Sequence, residues 1–220
     1  MIRISKRLKI IHDMVPKSVA ADIGSDHGKL MIALVESKTI VKGYAVENKE
    51  GPFERLKNCL TKSGVIDKVT PLFSDGIKDL PTDVNTVIIA GMGGLNIINI
   101  LKAHREKLAH VDTIIIDAHT MVPTVRKEIC QLGYAIADEK IIKEENIFYE
   151  IIKFIKAESA IISDEDLEFG PILRKEKSAT FKEKYKNRIH EIDTILAKGS
   201  LPESRIAELC NEKHKLERYV

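Results

Sequence analysis

Between residue 19 and about residue 155, short runs of aliphatic and β-branched residues alternate with segments of helical periodicity, and this alternation restricts the fold more than any other feature. Apolar strands that alternate with short helices are typical of a parallel sheet covered by helices on both faces. Strands are predicted at 19–23, 42–47, 68–74, 83–92 and 111–119, and helices at 30–37, 51–64, 95–108 and 122–133. Residues 134–157 predict two more strands in a hairpin. We therefore expect an α/β, Rossmann-like fold with a mostly parallel, seven-stranded sheet that ends in a β-hairpin.

The pattern changes after about residue 163, where the strand signals stop. Residues 172–197 predict one long helix with apolar residues at three- and four-residue steps, and residues 205–219 predict a second helix after a short turn. Two helices joined by a short turn form an antiparallel hairpin. We therefore predict a sheet domain at residues 1–162 and a coiled-coil-like helical domain at residues 163–220.

The cysteine and histidine spacings argue against a disulfide framework and against a metal site. The three cysteines stand at positions 59, 130 and 210 and form no Cys-x-x-Cys pair, and the histidines do not pair at metal-ligand spacings. This pattern fits a reducing, cytoplasmic setting. The N-terminal segment is too short and too charged to span a membrane.

Basic residues are concentrated near the C-terminus. The formal net charge is +2, yet residues 171–220 alone hold 12 Lys and Arg against 8 Asp and Glu. The densest part, residues 174–188, has seven basic and two acidic side chains. A basic segment attached to a nearly neutral domain suggests contact with a polyanion, although a solvated helix face would have the same composition.

Clusters of polar residues follow the predicted strands. Because ligands of such folds bind beyond the carboxyl ends of the strands, these clusters predict one common site. They occupy positions 22–28, 47–48, 75–76, 91–94 and 117–119.

The first cluster, "ADIGSDHGKL" at residues 21–30, admits three interpretations. It is a plain strand-to-helix turn, a dinucleotide loop, or a loop for a cationic nucleotide, S-adenosylmethionine. A dinucleotide loop favours Gly-x-Gly-x-x-Gly, and acids beside a pyrophosphate would repel it. The sulfonium and ammonium groups of S-adenosylmethionine instead favour acids such as Asp22. Glu47 can accept from the ribose hydroxyls and Asp75 from the adenine amine, which favours the third interpretation.

A family resemblance adds to this interpretation. The segments "ISKRLKII", "DIGSDHGKL", "SDGI", "IAGMGG", "FYE" and "GPILRKEKSATF", in this order, resemble the bacterial tRNA (adenine-22, N1) methyltransferase family over nearly the whole chain. The resemblance implies a class I methyltransferase fold with a helical C-terminal domain. It also implies methyl transfer from S-adenosylmethionine to N1 of adenosine 22, in the D-arm of tRNA.

The resemblance assigns roles to the residues around the cofactor. Asp22, Gly24 and Gly28 would hold its methionine part, and the polar pair Glu47 and Asn48 its ribose. The remaining predicted contacts border the adenine or form the floor near the methyl group, and they are Asp75, Gly76, Ala90, Gly91, Met92 and Gly93.

Three residues are candidates for a catalytic role. Asp26 would accept from the exocyclic amine of the target base and favour its growing positive charge, and capping of the following helix is its alternative role. His27 and His119 would bind or stack on the base, although His27 is equally consistent with a structural place in the turn. Members of the family often carry Gln-Pro-Asn after the fifth strand, where this chain has Asp117-Ala118-His119.

The basic residues are the predicted contacts of the RNA. The expected phosphate contacts are Lys6, Arg7, Arg174, Lys175, Lys177, Lys182, Lys184, Lys186 and Arg188. We expect a monomer that binds tRNA and needs neither a membrane nor a metal. The alternative is a non-catalytic or differently targeted protein of the same fold that binds partners through its helical hairpin.

Overall fold

A computed structural model describes residues 2–157, 162–199 and 201–220. Within these residues one seven-stranded sheet has the order β3-β2-β1-β4-β5-β7-β6. The strands are β1 (Ser18–Ile23), β2 (Ile40–Glu47), β3 (Val69–Phe73), β4 (Thr86–Met92), β5 (Thr113–Ala118), β6 (Tyr134–Glu144) and β7 (Ile147–Lys156). The helices are α1 (Lys6–Met14), α2 (Lys29–Glu36), α3 (Glu50–Lys62), α4 (Gly94–Ala103), α5 (Val122–Gln131), α6 (Asp164–Phe169), α7 (Leu173–Glu176), α8 (Ala179–Ala197) and α9 (Glu203–Glu217), and a 3-10 turn spans Arg105–His110.

The sheet confirms the predicted fold class. Strands β1 to β5 pair in parallel, and β7 runs antiparallel between β5 and β6. Strand β3, which contains Pro71, lies at one edge, where a residue without an amide hydrogen costs the fewest hydrogen bonds. Because β1 to β5 are parallel, their carboxyl ends lie on the same side of the sheet. This side is called the carboxyl edge below.

The central strands are apolar on both faces. In β4, Ile88 packs in the cluster on one side of the sheet and Ile89 in the cluster on the other, and Ile115 and Ile116 divide in the same way in β5. Successive residues of a strand point to opposite faces, so a continuous apolar run is required when helices cover both. This burial on both faces explains why the strands were predictable from the sequence.

The prediction of one continuous helix at 172–197 is wrong in one respect, because the helix is interrupted between α7 and α8. Lys177 adopts a left-handed conformation with φ of 45°, and Ser178 begins α8 by accepting a hydrogen bond from the Phe181 amide. The acidic connection before it contains α6. Helices α8 and α9 pack together as the predicted hairpin, although Ser200 in the predicted turn lies outside the described residues. The boundary between residues 162 and 163 stays a prediction.

A buried ionic network joins the helical segment to the sheet. The guanidinium of Arg126, in α5, is fully buried and donates to Glu139 Oε1 at 2.9 Å, to Glu150 Oε2 at 2.6 Å and to the Leu167 carbonyl at 3.0 Å. Lys184, in α8, pairs with the other oxygen of Glu150. One cation therefore connects α5, the β6–β7 hairpin and the start of the helical segment.

The same network fixes the chain between α6 and α7. Glu139 Oε2 accepts from the Ile172 amide at 2.9 Å, and a Cβ atom on Gly170 would lie 2.6 Å from the Glu139 carboxylate. Burial opposes the charge of Glu150, but Arg126 and Lys184 outweigh burial and hold the pKa of Glu150 below its usual range. Arg126 is therefore the partner that the two buried carboxylates share.

We expect Arg126→Met to lower the free energy of unfolding by about 3–5 kcal/mol, because it leaves the buried Glu139 without a cation and Glu150 with Lys184 alone. Urea denaturation measures this loss. Lys140→Met, which removes an exposed ion pair between β6 and Glu176 of α7, is the control and should cost less than about 1 kcal/mol.

A triple variant keeps the prediction testable if Arg126→Met does not fold. Arg126→Met combined with Glu139→Gln and Glu150→Gln removes the unpaired charges and should recover much of the loss. Equal stability of Arg126→Met and Lys140→Met would contradict the role given to Arg126.

Candidate active site at the carboxyl edge

The turn between β1 and α2 is built on unusual backbone conformations. Gly24, Asp26 and Gly28 have φ values of 75°, 45° and 67°, in the left-handed region that glycine adopts most readily. The Gly24 amide donates to the Val46 carbonyl at 2.9 Å, and the Asp26 amide donates to Glu47 Oε1 at 2.6 Å. The carboxylate at the end of β2 therefore shapes the turn that follows β1.

Asp22 is buried at the start of this turn. Its Oδ2 accepts from the Ser25 hydroxyl at 2.6 Å. Burial raises the pKa of Asp22 to about 6; the Ser25 hydrogen bond opposes this rise, whereas the nearby Glu47 carboxylate increases it. A cation bound next to Asp22 would stabilise its ionised form.

A first cavity, of about 380 Å³, opens over the ends of β1, β2 and β4. Asn48 Nδ2 donates to Asp75 Oδ1 at 3.1 Å, which brings two predicted cofactor residues together on its wall. Met92 lies opposite the turn, since a Cβ atom on Gly24 would lie 2.3 Å from its terminal methyl. Seven predicted site residues line this cavity, and they are Gly24, Asp26, Glu47, Asn48, Asp75, Gly76 and Met92.

A second cavity, of about 340 Å³, adjoins the first, because Gly24 and Asp26 line both. Asp22 and His27 line it on one side. Its opposite side is formed by Arg7 from α1 and by the strand end at Ala90 and Gly91. The carboxyl edge therefore carries two neighbouring compartments that share one turn.

Asp26 stands between the two compartments. Its side chain is 66% exposed, and Gly28, not Asp26, is the N-cap of α2, with no side-chain cap hydrogen bond. The alternative role of Asp26 as a helix cap is therefore wrong. The carboxylate is free to contact a ligand from either compartment.

Gly28, Gly93 and His119 do not line either cavity, whereas His27 lines the second. Gly28 packs against α3, where a Cβ atom added to it would lie 2.9 Å from the Leu56 side chain. Gly93 precedes α4 as its N-cap. The ring of His119 packs edge-on against Tyr149, with centroids 5.8 Å apart. His27 Nε2 lies 3.6 Å from Asp26 Oδ2.

Arg7 has a contact that the sequence did not indicate. It pairs with the buried carboxylate of Asp117, at the end of β5, and its guanidinium lies 5.1 Å from the centre of the Tyr149 ring. Burial keeps the pKa of Asp117 above its usual range, although Arg7 lowers it. This pair fixes α1 against the second cavity, so Arg7 forms part of the wall and is not a free phosphate contact.

Most of the predicted basic contacts in the helical segment have partners within the protein. Arg188 donates to Glu212 at 2.7 Å, and Lys177 donates to the Arg218 carbonyl at 3.0 Å. Arg174 pairs with Asp166, and Lys184 with Glu150. Among the described residues, no ion-pair partner within 4.0 Å accompanies the side chains of Lys6, Lys175, Lys182 and Lys186.

Within residues 2–157, 162–199 and 201–220, no group of three or more His, Cys, Asp or Glu residues could hold a metal ion. No helix within these ranges is long and apolar enough to cross a membrane.

Comparison with known proteins gives the family. The model of the tRNA (adenine(22)-N(1))-methyltransferase family, TrmK, matches residues 20–218. A Bacillus subtilis protein of that name is 29% identical over 201 residues, which are 88% of this chain and 84% of the relative.

Two solved structures share the whole fold. Streptococcus pneumoniae Sp1610 in complex with S-adenosyl-L-methionine has a TM-score of 0.91 at 29% identity and covers 99% of both chains. M. capricolum TrmK in complex with S-adenosyl-homocysteine has a TM-score of 0.87 at 26% identity and covers 98% of this chain and 97% of its own. The chain therefore belongs to the tRNA (adenine(22)-N(1))-methyltransferase family.

Proposed function

We propose that the first cavity holds S-adenosylmethionine, that the second receives the target adenosine, and that the protein methylates N1 of adenosine 22 of tRNA. The observation that carries this proposal is the pair of cavities that share Gly24 and Asp26. A methyl donor and its acceptor must meet at one point, and two compartments with a common wall provide it. A non-catalytic interaction module would not require this arrangement.

The residues of the first cavity fit S-adenosylmethionine. We assign Glu47 and Asn48 to the ribose hydroxyls and Asp75 to the adenine amine, because all three line this cavity. Asp22 does not line it but lies at the turn that both cavities share, where a bound cation would stabilise its ionised form. When bound, S-adenosylmethionine supplies an electrophilic methyl group on a sulfonium that carries positive charge.

The reaction requires alignment of adenine N1 with the methyl group more than it requires a general base. N1 of adenine attacks with a free lone pair, forms the new bond to the methyl carbon, and leaves the electron pair of the broken bond on sulfur. The product base carries the positive charge. The Asp26 carboxylate, at the turn shared by both cavities, favours this charge and accepts from the exocyclic amine. We assign contacts with the base to His27, which lines the second cavity, and to His119, whose ring lies beside Gly91 of that cavity.

The tRNA needs contacts outside the cavities. We assign phosphate contacts to the basic side chains without an internal ion pair, Lys6, Lys175, Lys182 and Lys186. The D-arm is the part of tRNA that carries position 22. We propose that the protein acts as a monomer in the cytoplasm. The phosphate contacts would hold the parts of the tRNA that lie outside the cavities.

We expect Asp26→Asn to retain S-adenosylmethionine affinity within about threefold and to lose at least about 100-fold in methyl transfer, because the carboxylate acts on charge that develops in the reaction. Asparagine tolerates the left-handed backbone at this position better than alanine does. Calorimetry measures the affinity. Transfer of labelled methyl to a tRNA transcript, with mapping of the modified base, measures the reaction.

The control is Glu145→Gln, which neutralises an exposed acid of the β6–β7 turn that also has a positive φ, 50°. Wild-type protein should label a transcript with adenosine at position 22 and leave one with guanosine there unlabelled. Equal losses of affinity and transfer in Asp26→Asn would assign Asp26 to the cofactor instead.

We expect cofactor affinity to fall as the pH falls through about 6, because a protonated Asp22 cannot stabilise a cationic ligand. The fall should approach about tenfold per pH unit below that pKa. Titrations between pH 5 and pH 7.5 measure it, and adenosine, which lacks the cationic groups, serves as the control ligand.

Two variants separate this effect from others. Asp22→Asn should flatten the pH profile, and Ser25→Ala should move the fall to higher pH, because it removes the hydrogen bond that lowers the Asp22 pKa. A profile that is the same in all three proteins would refute the role of Asp22.

We expect the double variant Lys182→Gln, Lys186→Gln to weaken tRNA binding and to reduce the slope of log K against log salt by about 1–2, which corresponds to two lost phosphate contacts. Lys184 is kept, because its removal would leave Glu150 with one partner fewer. Lys17→Gln, Lys38→Gln, at the amino ends of β1 and β2, is the matched control. An unchanged slope in the first variant would remove these lysines from the interface.

A further inference from the structure

Two large apolar side chains are exposed at the carboxyl edge, next to the cavities. Leu95 is 58% exposed and Met121 47% exposed, whereas the apolar residues of the strands before them are almost all buried. Leu95 lies in the first turn of α4, after β4, and Met121 precedes α5, after β5. The two residues therefore follow neighbouring strands at the same edge of the sheet.

The backbone brings the loop of Met121 against the start of α4, where Leu95 lies. The Gly94 amide donates to Thr120 Oγ1 at 3.2 Å. A Cβ atom on Gly94 would lie 2.3 Å from the Thr120 carbonyl oxygen and 3.1 Å from Met121 Cβ, so only glycine permits this approach. The absence of a side chain at Gly94 thus allows the loop that carries Met121 to pack directly against the start of α4.

Met121 also has a backbone conformation that is rare for its residue type. Its φ is 57°, in the left-handed region, although it is neither glycine nor asparagine. Such conformations persist only where the surrounding structure determines them, and they cluster at functional sites. Here the conformation occurs at an apolar side chain that remains exposed to solvent.

Leu95 lies in the chain between residues that line the first cavity. Met92 and Asn96, on either side of Leu95 in the sequence, both line that cavity, and Asn96 Nδ2 lies 3.3 Å from Met92 Sδ. Ala90 and Gly91, at the end of β4, line the second cavity, and His119 would lie 3.9 Å from a Cβ atom on Gly91. Leu95 and the loop of Met121 therefore follow strand ends that border the proposed sites of the methyl donor and of the target base.

The proposed reaction creates a need for apolar groups at this place. N1 lies on the Watson–Crick edge of adenine, which pairing and stacking hide in a folded RNA. The base must leave the stack, at a cost that proteins offset by inserting apolar side chains between bases. A protein partner bound on this pair would block the RNA from the neighbouring cavities.

We propose that Leu95 and Met121 form an apolar wedge that enters the base stack beside adenosine 22 when that base is extruded. The occupant of this surface is thus the nucleobase step of the substrate tRNA. This proposal rests on the proposed function and adds to it the residues that expose the target base.

The first test measures unstacking directly, without methyl transfer. A tRNA transcript with 2-aminopurine at position 22 becomes more fluorescent when that base leaves the stack. Wild-type protein with S-adenosylhomocysteine should raise the fluorescence. We expect Leu95→Ala, Met121→Ala to bind the transcript within about threefold of wild type and to lose at least half of the fluorescence rise.

The second test compares two substrates in single-turnover methylation. One is the intact transcript, and the other has an abasic residue opposite adenosine 22, so that less work is needed to extrude the base. We expect the double variant to lose at least about tenfold in rate on the intact transcript. The loss on the abasic transcript should be at least fivefold smaller.

The matched control is Val41→Ala, Ile66→Ala, which removes two exposed apolar side chains, 78% and 40% exposed, near the opposite edge of the sheet. If the wedge variant matches this control, or loses the same factor on both transcripts, the wedge is overturned while wild-type methylation still supports the proposed function. If wild-type protein does not methylate adenosine 22, the proposed function itself fails.

Discussion

The contact on which the arrangement of this protein depends is the buried guanidinium of Arg126. It is shared by a carboxylate from each strand of the β6–β7 hairpin and by a carbonyl of α6. Glu139 also accepts from the Ile172 amide, just before α7, and Glu150 also pairs with Lys184 of α8. Because unpaired buried charges are costly, the helical segment has one preferred orientation on the sheet. The basic side chains of α8 are therefore held in a fixed position relative to the carboxyl edge.

The carboxyl edge is organised by a second carboxylate contact. Glu47 accepts from the Asp26 amide, so an acid of the first cavity shapes the turn that carries the proposed catalytic acid. Asp22 lies behind the same turn and is held by Ser25. A change in the charge or position of one of these acids thus changes the position or the pKa of the others. In physical terms, binding in the first cavity and alignment in the second are parts of one hydrogen-bonded unit.

The sequence predicted the sheet well, because strands buried on both faces, such as β4 and β5, leave continuous apolar runs. It also predicted that the polar clusters would meet, since the parallel strands that precede them end on the same side of the sheet. It missed the break at Lys177, because the apolar stripe continues in helical steps on both sides of it. It also missed the pairs Arg7–Asp117 and Arg126–Glu150, whose members lie far apart in the chain and look like surface charges in isolation.

Those pairs change what the basic segment can contribute. Arg174, Lys184 and Arg188 add to the count of positive charges, but each faces a carboxylate within the protein. A paired side chain must give up that contact before it can bind a phosphate, whereas Lys182 and Lys186, one helical turn apart on α8, need not. Among the predicted contacts that the structure describes, the proposed electrostatic attraction to RNA therefore falls on fewer residues than the composition suggests. In the proposed complex, the cavities and the apolar pair beside them would carry more of the recognition.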